Sequence, residues 1–278
     1  MPTPAAEDPL ARFVAAVQPC IDRTAPERFW QAEEAFRSFL GSGYLQGALN
    51  AALRALAADP CHLGDWRHNE WMLHRGRGFA LAVSLFDQPR RYIHALPFYA
   101  LYAPVAAEPL SYDRYRLPQS YHNPVFDPGL KLTRVDGGTI KAGEVLALHT
   151  REYAYDFHLP KPVLVLKLST APIQPLEWLF QKDTLQSWQA NDADLTSTQL
   201  RVAADVLGKF AHQSSLEPLK LLTGHPHHAV RWTAIQNLGR LNRSEALLKL
   251  QAACNDQHPH IQRAARKTLA QLQSRTVS

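Results

Sequence analysis

The sequence predicts an α+β multidomain chain: N-terminal helices, a central antiparallel β-barrel or sandwich, and a C-terminal α-solenoid. Three observations predict it. Apolar residues recur at helical spacing up to about Ala58, short apolar or alternating runs broken by Gly, Pro and Asp fill roughly Trp66 to Asp183, and a 31-residue self-similarity follows from about Leu195. At 278 residues the chain suits two folded units, or one with a helical extension. The expected bounds are 1–62 for a helical cover, 63–185 for the β domain and 190–278 for the repeats.

In the first region Leu10, Phe13, Val14 and Val17 share a helix face that ends at Pro19. Thr24-Ala25-Pro26-Glu27 reads as a capping box, with Thr24 and Glu27 satisfying free amides reciprocally. The helix it opens carries Phe29, Ala32, Phe36, Phe39 and Leu40 on one side and stops at Gly41 and Gly43. A third helix, Tyr44 to Ala58, lines up Leu45, Leu49, Leu53 and Leu56.

The second region shows seven to nine short strands, the pattern of a sandwich or small barrel. Phe79 to Phe86 ends at Asp87-Gln88-Pro89, and Tyr92–Tyr102, Tyr112–Leu117 and Leu130–Val135 follow. Asp136-Gly137-Gly138 and Lys141-Ala142-Gly143-Glu144 read as turns, the second leading into Val145–Leu148. Val163 to Leu168 is the last clear strand.

In the third region, segments starting at Gln199, Val230 and Ile261 align at a constant offset of 31, so that Ala203, Ala234 and Ala265 coincide, as do Leu207, Leu238 and Leu269. Leu216 and Leu219 fall on Leu247 and Leu250. A small residue followed four places later by leucine lets two helices approach and interlock. The pattern resembles the HEAT family and its short bacterial relatives, whose second helix reads V-R-x-x-A-x-x-x-L-G-x-L. Val230-Arg231-Trp232-Thr233-Ala234 and Leu238-Gly239-Arg240-Leu241 match it most fully, while Arg201 falls one place late and Gln262 replaces the arginine. The resemblance covers about the last 80 residues and implies a scaffold for contacts.

The formal net charge is +5, and the segment from Gln199 onward is +7, with six histidines. That excess favours an acidic protein or peptide surface, or nucleic acid, as partner. Cys20, Cys61 and Cys254 form no CxxC pair, which points to a reducing compartment. Met1 to Asp8 lacks the basic start and apolar stretch of a secretory leader. The most apolar window, Leu96–Leu110, is broken by three prolines and falls short of the roughly 20 residues of a spanning helix. The expectation is a soluble cytoplasmic protein without a membrane partner.

Candidate sites fall in two places. His227 and His228, within His225-Pro226-His227-His228, and the similar His258-Pro259-His260 suit either metal or pH chemistry or helix-start roles. Trp232 beside Arg231, with Arg240 and Arg263, would make a stacking and charge surface for phosphate or an acidic peptide. In the β region, Lys141-Ala142-Gly143-Glu144 through His149 resembles the glycine turn and strand of cupins, without their H-x-H and following glutamate. That resemblance implies a divalent metal (iron, zinc or manganese) at His122, His149 and His158; the other reading is strand-edge histidines facing water. No G-x-S-x-G, P-loop, G-x-G-x-x-G strand–helix junction or H-E-x-x-H occurs.

Two functions follow as expectations. One is a binding or regulatory protein whose β domain recognises a small molecule or peptide while the repeats dock a macromolecule. The other is a metal-dependent oxygenase or isomerase with the repeats as a substrate-docking module.

Overall fold

The computed structural model describes residues 8–59, 66–67 and 69–276. Cys61 and the stretch Met1–Glu7 lie outside them. The chain divides into two compact units, Met1–Tyr121 with Pro128–Ala190 and His122–Asp127 with Asn191–Ser278. The N-terminal helices share the first unit with the strands.

Helix α1 (Pro9–Val17) starts at Asp8, whose carboxylate accepts from Leu10 N at 3.1 Å, and Pro9 occupies the first turn, where its missing N–H costs nothing. A 3-10 helix (Pro26–Ala32) leads into α2 (Glu33–Leu40), and α3 (Tyr44–Ala58) begins after Gly43 at φ +72°. The capping box does not form. Thr24 Oγ1 donates to Asp22 at 2.6 Å, and Glu27 accepts from Tyr99 Oη at 2.5 Å and Trp30 Nε1 at 3.1 Å, so side-chain partners outcompete the backbone amide.

Twelve strands are described: β1 (Trp66–Arg67), β2 (Glu70–Arg75), β3 (Phe79–Phe86), β4 (Tyr92–Ala95), β5 (Ala100–Pro104), β6 (Leu110–Arg116), β7 (Thr133–Ile140), β8 (Leu146–Leu148), β9 (Tyr153–His158), β10 (Val163–Thr170), β11 (Leu176–Gln181) and β12 (Ser187–Asp192). They form two antiparallel sheets, ordered β1-β2-β3-β10-β5-β8 and β12-β11-β4-β9-β6-β7. From β3 to β10 the chain alternates between sheets except at the β6–β7 hairpin, in the double Greek key of a jelly roll, so the expected barrel is present with that topology. β10 lies between β3 and β5, pairing Val163 with Phe86 and Leu168 with Leu101. Its central place in the sheet matches its largely apolar run, with Lys167 as the charged exception.

One face of the first sheet is covered by the helices. Phe13, Val17, Phe29, Phe36 and Phe39 pack with Phe79, Leu81, Leu101, Leu166 and Leu168. Full burial of such a side chain stabilises by roughly 1.5–3 kcal/mol.

Of the two expected turns, Lys141–Glu144 closes one, with Glu144 N bonded to Lys141 O at 3.0 Å and Gly143 at φ +85°. Asp136-Gly137-Gly138 instead lies inside β7, paired with Arg114, Asp113 and Tyr112 of β6. A Cβ at Gly137 would come within 2.5 Å of Asp113 Oδ1 and 2.7 Å of Tyr112 O, so glycine serves a close approach there.

The second unit contains α4 (Leu195–Phe210), α5 (Leu216–Leu222), α6 (His228–Leu241), α7 (Arg243–Ala253) and α8 (Pro259–Thr276). Asp194 caps α4 through Thr196 N at 3.0 Å, and Asn242 caps α7 through Glu245 N at 3.1 Å. Helices α5–α6 and α7–α8 are hairpins of the expected stack, but α4 stands where the first copy's second helix is expected, directly after β12. Its register also differs by one. Ala234 and Ala265 are fully buried while Ala203 is exposed, and Ala204 occupies the buried place. Counting back from Ala234, the first copy is offset by 30, which brings Arg201 level with Arg231.

Candidate functional site

Side chains alternate across a strand, so register fixes which of them face between the sheets. Five rings take inward places. Phe86, Tyr102 and Phe157 lie 5.8 Å apart, centroid to centroid, in all three pairings. Tyr155 stacks on Phe157 at 6.5 Å, with Tyr112 6.2 Å from Tyr155. Leu110, Leu148, Val163 and Val165 complete this core. Burial pushes the Tyr155 phenol up to about 12, so it stays protonated and donates to Ala147 O at 3.4 Å.

Polar groups occupy other inward positions. Val165, a core residue, pairs with Ser84, and Ser84 pairs with Glu70, so Ser84, Glu70 and Lys167 face the same way as Val165. Lys167 Nζ lies 2.6 Å from Glu70 Oε1, and Ser84 Oγ donates to the same oxygen at 2.9 Å. Burial raises the Glu70 pKa, but hydrogen bonding and charge from Lys167, the Ser84 hydroxyl and Arg75 outweigh it and hold the carboxyl below its ordinary value. On the other sheet His94 pairs with the inward Tyr155, and Leu179 pairs with His94, which puts Glu177 on that face too. His94 Nδ1 lies 2.7 Å from Glu177 Oε1. The carboxylate can only accept, so Nδ1 is the donor in this contact. None of these five residues stands in a recognisable motif; the one available signal was a charged or polar residue at an inward place of an apolar strand.

The histidines expected to hold metal are not brought together. His158 is on the outward alternate of Phe157 and bonds Asp113 Oδ2 at 3.0 Å, while Arg134 bonds the other oxygen at 2.5 Å. His149 follows β8 on the alternate of outward Ala147, its ring 4.2 Å from that of Trp30. His122 is exposed and belongs to the second unit. Among the described residues no three His, Cys, Asp or Glu side chains are grouped to hold a metal ion. Between the sheets His94, Glu177 and Glu70 stand among tyrosines and phenylalanines as separate pairs rather than as one ligand set.

In the helical unit, the arginine of the repeat motif is structural. Arg231 is only 6% exposed; Nε and Nη2 fork onto Asp256 at 2.9 and 2.6 Å, and Nη1 donates to His225 O and Pro226 O. This corrects its place in a docking surface: its donors already bind inside the unit. Trp232 packs partly buried against Ile235, Leu250, Ala253, Ile261 and Ala265. Arg240 and Arg263 are exposed. With Asp127, Asp192 and Asp194 included, the unit carries eleven Lys and Arg against seven Asp and Glu, or +4.

His227 and His228 belong to a row of imidazoles. His228 lies flat on His258 with centroids 3.8 Å apart and planes 2° apart, His227 is 5.0 Å from His228, and His260 is 5.2 Å from His258. His258 Nε2 donates to Pro124 O at 2.8 Å, and its Nδ1 accepts from His260 N at 3.3 Å. Burial, then the neighbouring His258 and His227, pull His228 down to about 4; burial also lowers His227 and His260.

Comparison with known proteins separates the two units. Residues 196–270 match the HEAT repeats family model. No curated protein matches the chain in sequence. Among solved structures, hydroquinone 1,2-dioxygenase from Sphingomonas sp. TTNP3 is 11% identical with a TM-score of 0.31, covering 38% of this chain and 66% of that one. A second hydroquinone 1,2-dioxygenase, in complex with Cd2+ and 4-hydroxybenzonitrile, is 11% identical at a TM-score of 0.29 and covers 38% of this chain. The chain thus spans less than two thirds of these relatives, 65% and 66%. The DMSP lyase from Ruegeria pomeroyi DSS-3 is 13% identical at a TM-score of 0.25, covering 61% of this chain and 75% of that one. The jelly-roll assignment rests on strand order. Among the described residues no helix is long and apolar enough to cross a membrane.

Proposed function

We propose a cytoplasmic binding or regulatory protein: the jelly roll recognises a small molecule or peptide through its inward polar groups, and the repeats dock an acidic partner. The observation that carries this reading is the pairing of Lys167 with Glu70 and of His94 with Glu177 at inward places beside packed rings. Partly buried polar groups next to aromatic surface are what orient a bound molecule in a small-ligand site. A thermal-shift screen of small metabolites tests it. A hit should be lost in both His94→Ala and Lys167→Met, and hits untouched by either variant would overturn it. For the docking half, Arg240→Glu with Arg263→Glu should weaken binding to a polyglutamate peptide, and unchanged binding counts against it.

A metal-dependent enzyme is the second reading, favoured by one observation: Glu177 accepts from Nδ1 of His94, the kind of contact that orients a ligating imidazole. Elemental analysis of protein purified without chelator separates the two. Stoichiometric iron, zinc or manganese that disappears in His94→Ala would reverse the order of these readings.

A further inference from the structure

On the outward face of the first sheet, α3 leaves a cleft beneath it. The helix is amphipathic yet none of its residues is fully buried, and Leu53 and Leu56 are 52% and 46% exposed. The cleft has a volume of about 740 Å3, within the roughly 300–1,000 Å3 of small-ligand sites. Its long walls are apolar, Leu45 and Leu49 on the helix side against Trp71, Val83, Leu85 and Leu164 of the strands. These strand residues are outward alternates, so the cleft is separate from the inward Lys167–Glu70 and His94–Glu177 pairs.

Its polarity is uneven. Among the described lining residues Arg37 is the one charged side chain, and it stands where α2 turns into α3, beside Gly41, Gly43 and Gln46. Helix α3 starts there after Gly43; Ser42 Oγ accepts from Tyr44 N at 3.3 Å, and the helix's positive end faces the same turn. Arg37 gives Nε and Nη2 to Glu33 Oε1 at 3.0 and 2.6 Å, and among the described residues nothing takes its Nη1. An apolar slot closed at one end by a guanidinium and a helix N-terminus matches an apolar body with a single anionic head.

We propose that this cleft binds a long-chain carboxylic acid, with the carboxylate at Arg37 and the start of α3 and the chain running along Leu49, Val83 and Leu164. The test is calorimetric titration of the delipidated full chain with dodecanoate, dodecanol and dodecyltrimethylammonium, each below its micellar concentration. Dodecanoate should bind one to one, about tenfold tighter than the alcohol, and the ammonium probe weakest. Arg37→Gln, at a half-exposed surface position, should remove the margin between acid and alcohol. Leu49→Trp, on a helix with no fully buried residue, should fill the slot and weaken both at least tenfold without moving the melting temperature. His94→Ala should change nothing, which keeps this site distinct from the inward one. Binding of the ammonium probe as tight as that of the acid, no binding of any probe, or Leu49→Trp without effect would overturn the proposal.

Discussion

The two units solve close packing in opposite ways. Between the sheets, large rings fill the space: Phe86, Tyr102, Tyr155 and Phe157 are the core, and polar groups such as Lys167 with Glu70 and His94 with Glu177 enter hydrogen-bonded to one another. In the helical unit small residues bring the helices together: Ala204, Gly208, Ala234 and Ala265 are buried, and a polar network runs through the contact. Asn237 Nδ2 bonds Asp205 Oδ1 at 2.7 Å and Thr233 O at 2.9 Å, and Arg231 bonds Asp256. Two sheets stand about 10 Å apart and need volume, whereas stacked helices need to approach. One unit should therefore fail by cavity, the other by lost pairing.

The largest expected effect tests the first half of that contrast. Phe157→Ala should cost about 4 kcal/mol by opening a cavity among the rings, read as a lower denaturation midpoint for the strands alone in hydrogen exchange. Next comes the pairing. Arg231→Met should cost about 3 kcal/mol by leaving Asp256 buried without its partner, and Arg231→Lys should recover little because an ammonium cannot fork. Loss confined to the helical peptides is the expected readout, and equal loss in the strands would blur the distinction.

Two glycines sharpen it further. Gly208 and Gly239 hold matching places in the 31-residue alignment, yet a Cβ at Gly208 would lie 2.1 Å from Asn237 Oδ1, while one at Gly239 meets only Ala246 Cβ at 3.8 Å. Gly208→Ala should destabilise by about 2 kcal/mol through overpacking. Gly239→Ala should stabilise by up to about 1 kcal/mol through helix propensity. Parallel denaturation curves decide this, and changes of the same sign in both would undo the packing argument.

The finest distinction is in acid. His228, His227 and His260 have lowered folded values, so the unfolded chain takes up protons first. Their contribution is complete above about 6.5 and is lost as pH falls from there toward the His228 value of about 4. In the barrel unit, lowered carboxylates such as Glu70, Asp113 and Asp136 contribute above the ordinary carboxylate range, and that contribution goes only as pH drops through and below it. Hydrogen exchange between pH 7 and 4 should thus show the helices loosening before the strands.

What could be read in advance follows the same divide. Repeats copy a helix face, so the stack was visible in the letters, and a sheet between two apolar layers announces itself as short apolar runs. The first copy's register was not visible: Ala203 and Ala204 are both alanines, and only contact with α6 decides which is buried. Gly137 reads as a turn because glycine permits turns and close approaches alike, and the approach of Asp113 comes from a strand 24 residues away. Arg231 looked like surface chemistry because an arginine's partner cannot be seen from its own segment. His94 was passed over because its meaning depends on Glu177, 83 positions on.

That distant partnership of Arg231 has a consequence for how the helical array can be cut or extended. Asp256 stands 25 residues downstream, beyond the whole of α7, so one layer's guanidinium is anchored by the layer that follows. The layers overlap like roof tiles, and a chain ended at Ala253 would strand a cation in the layer above. The smallest piece that can be grafted or duplicated intact is therefore an adjoining pair.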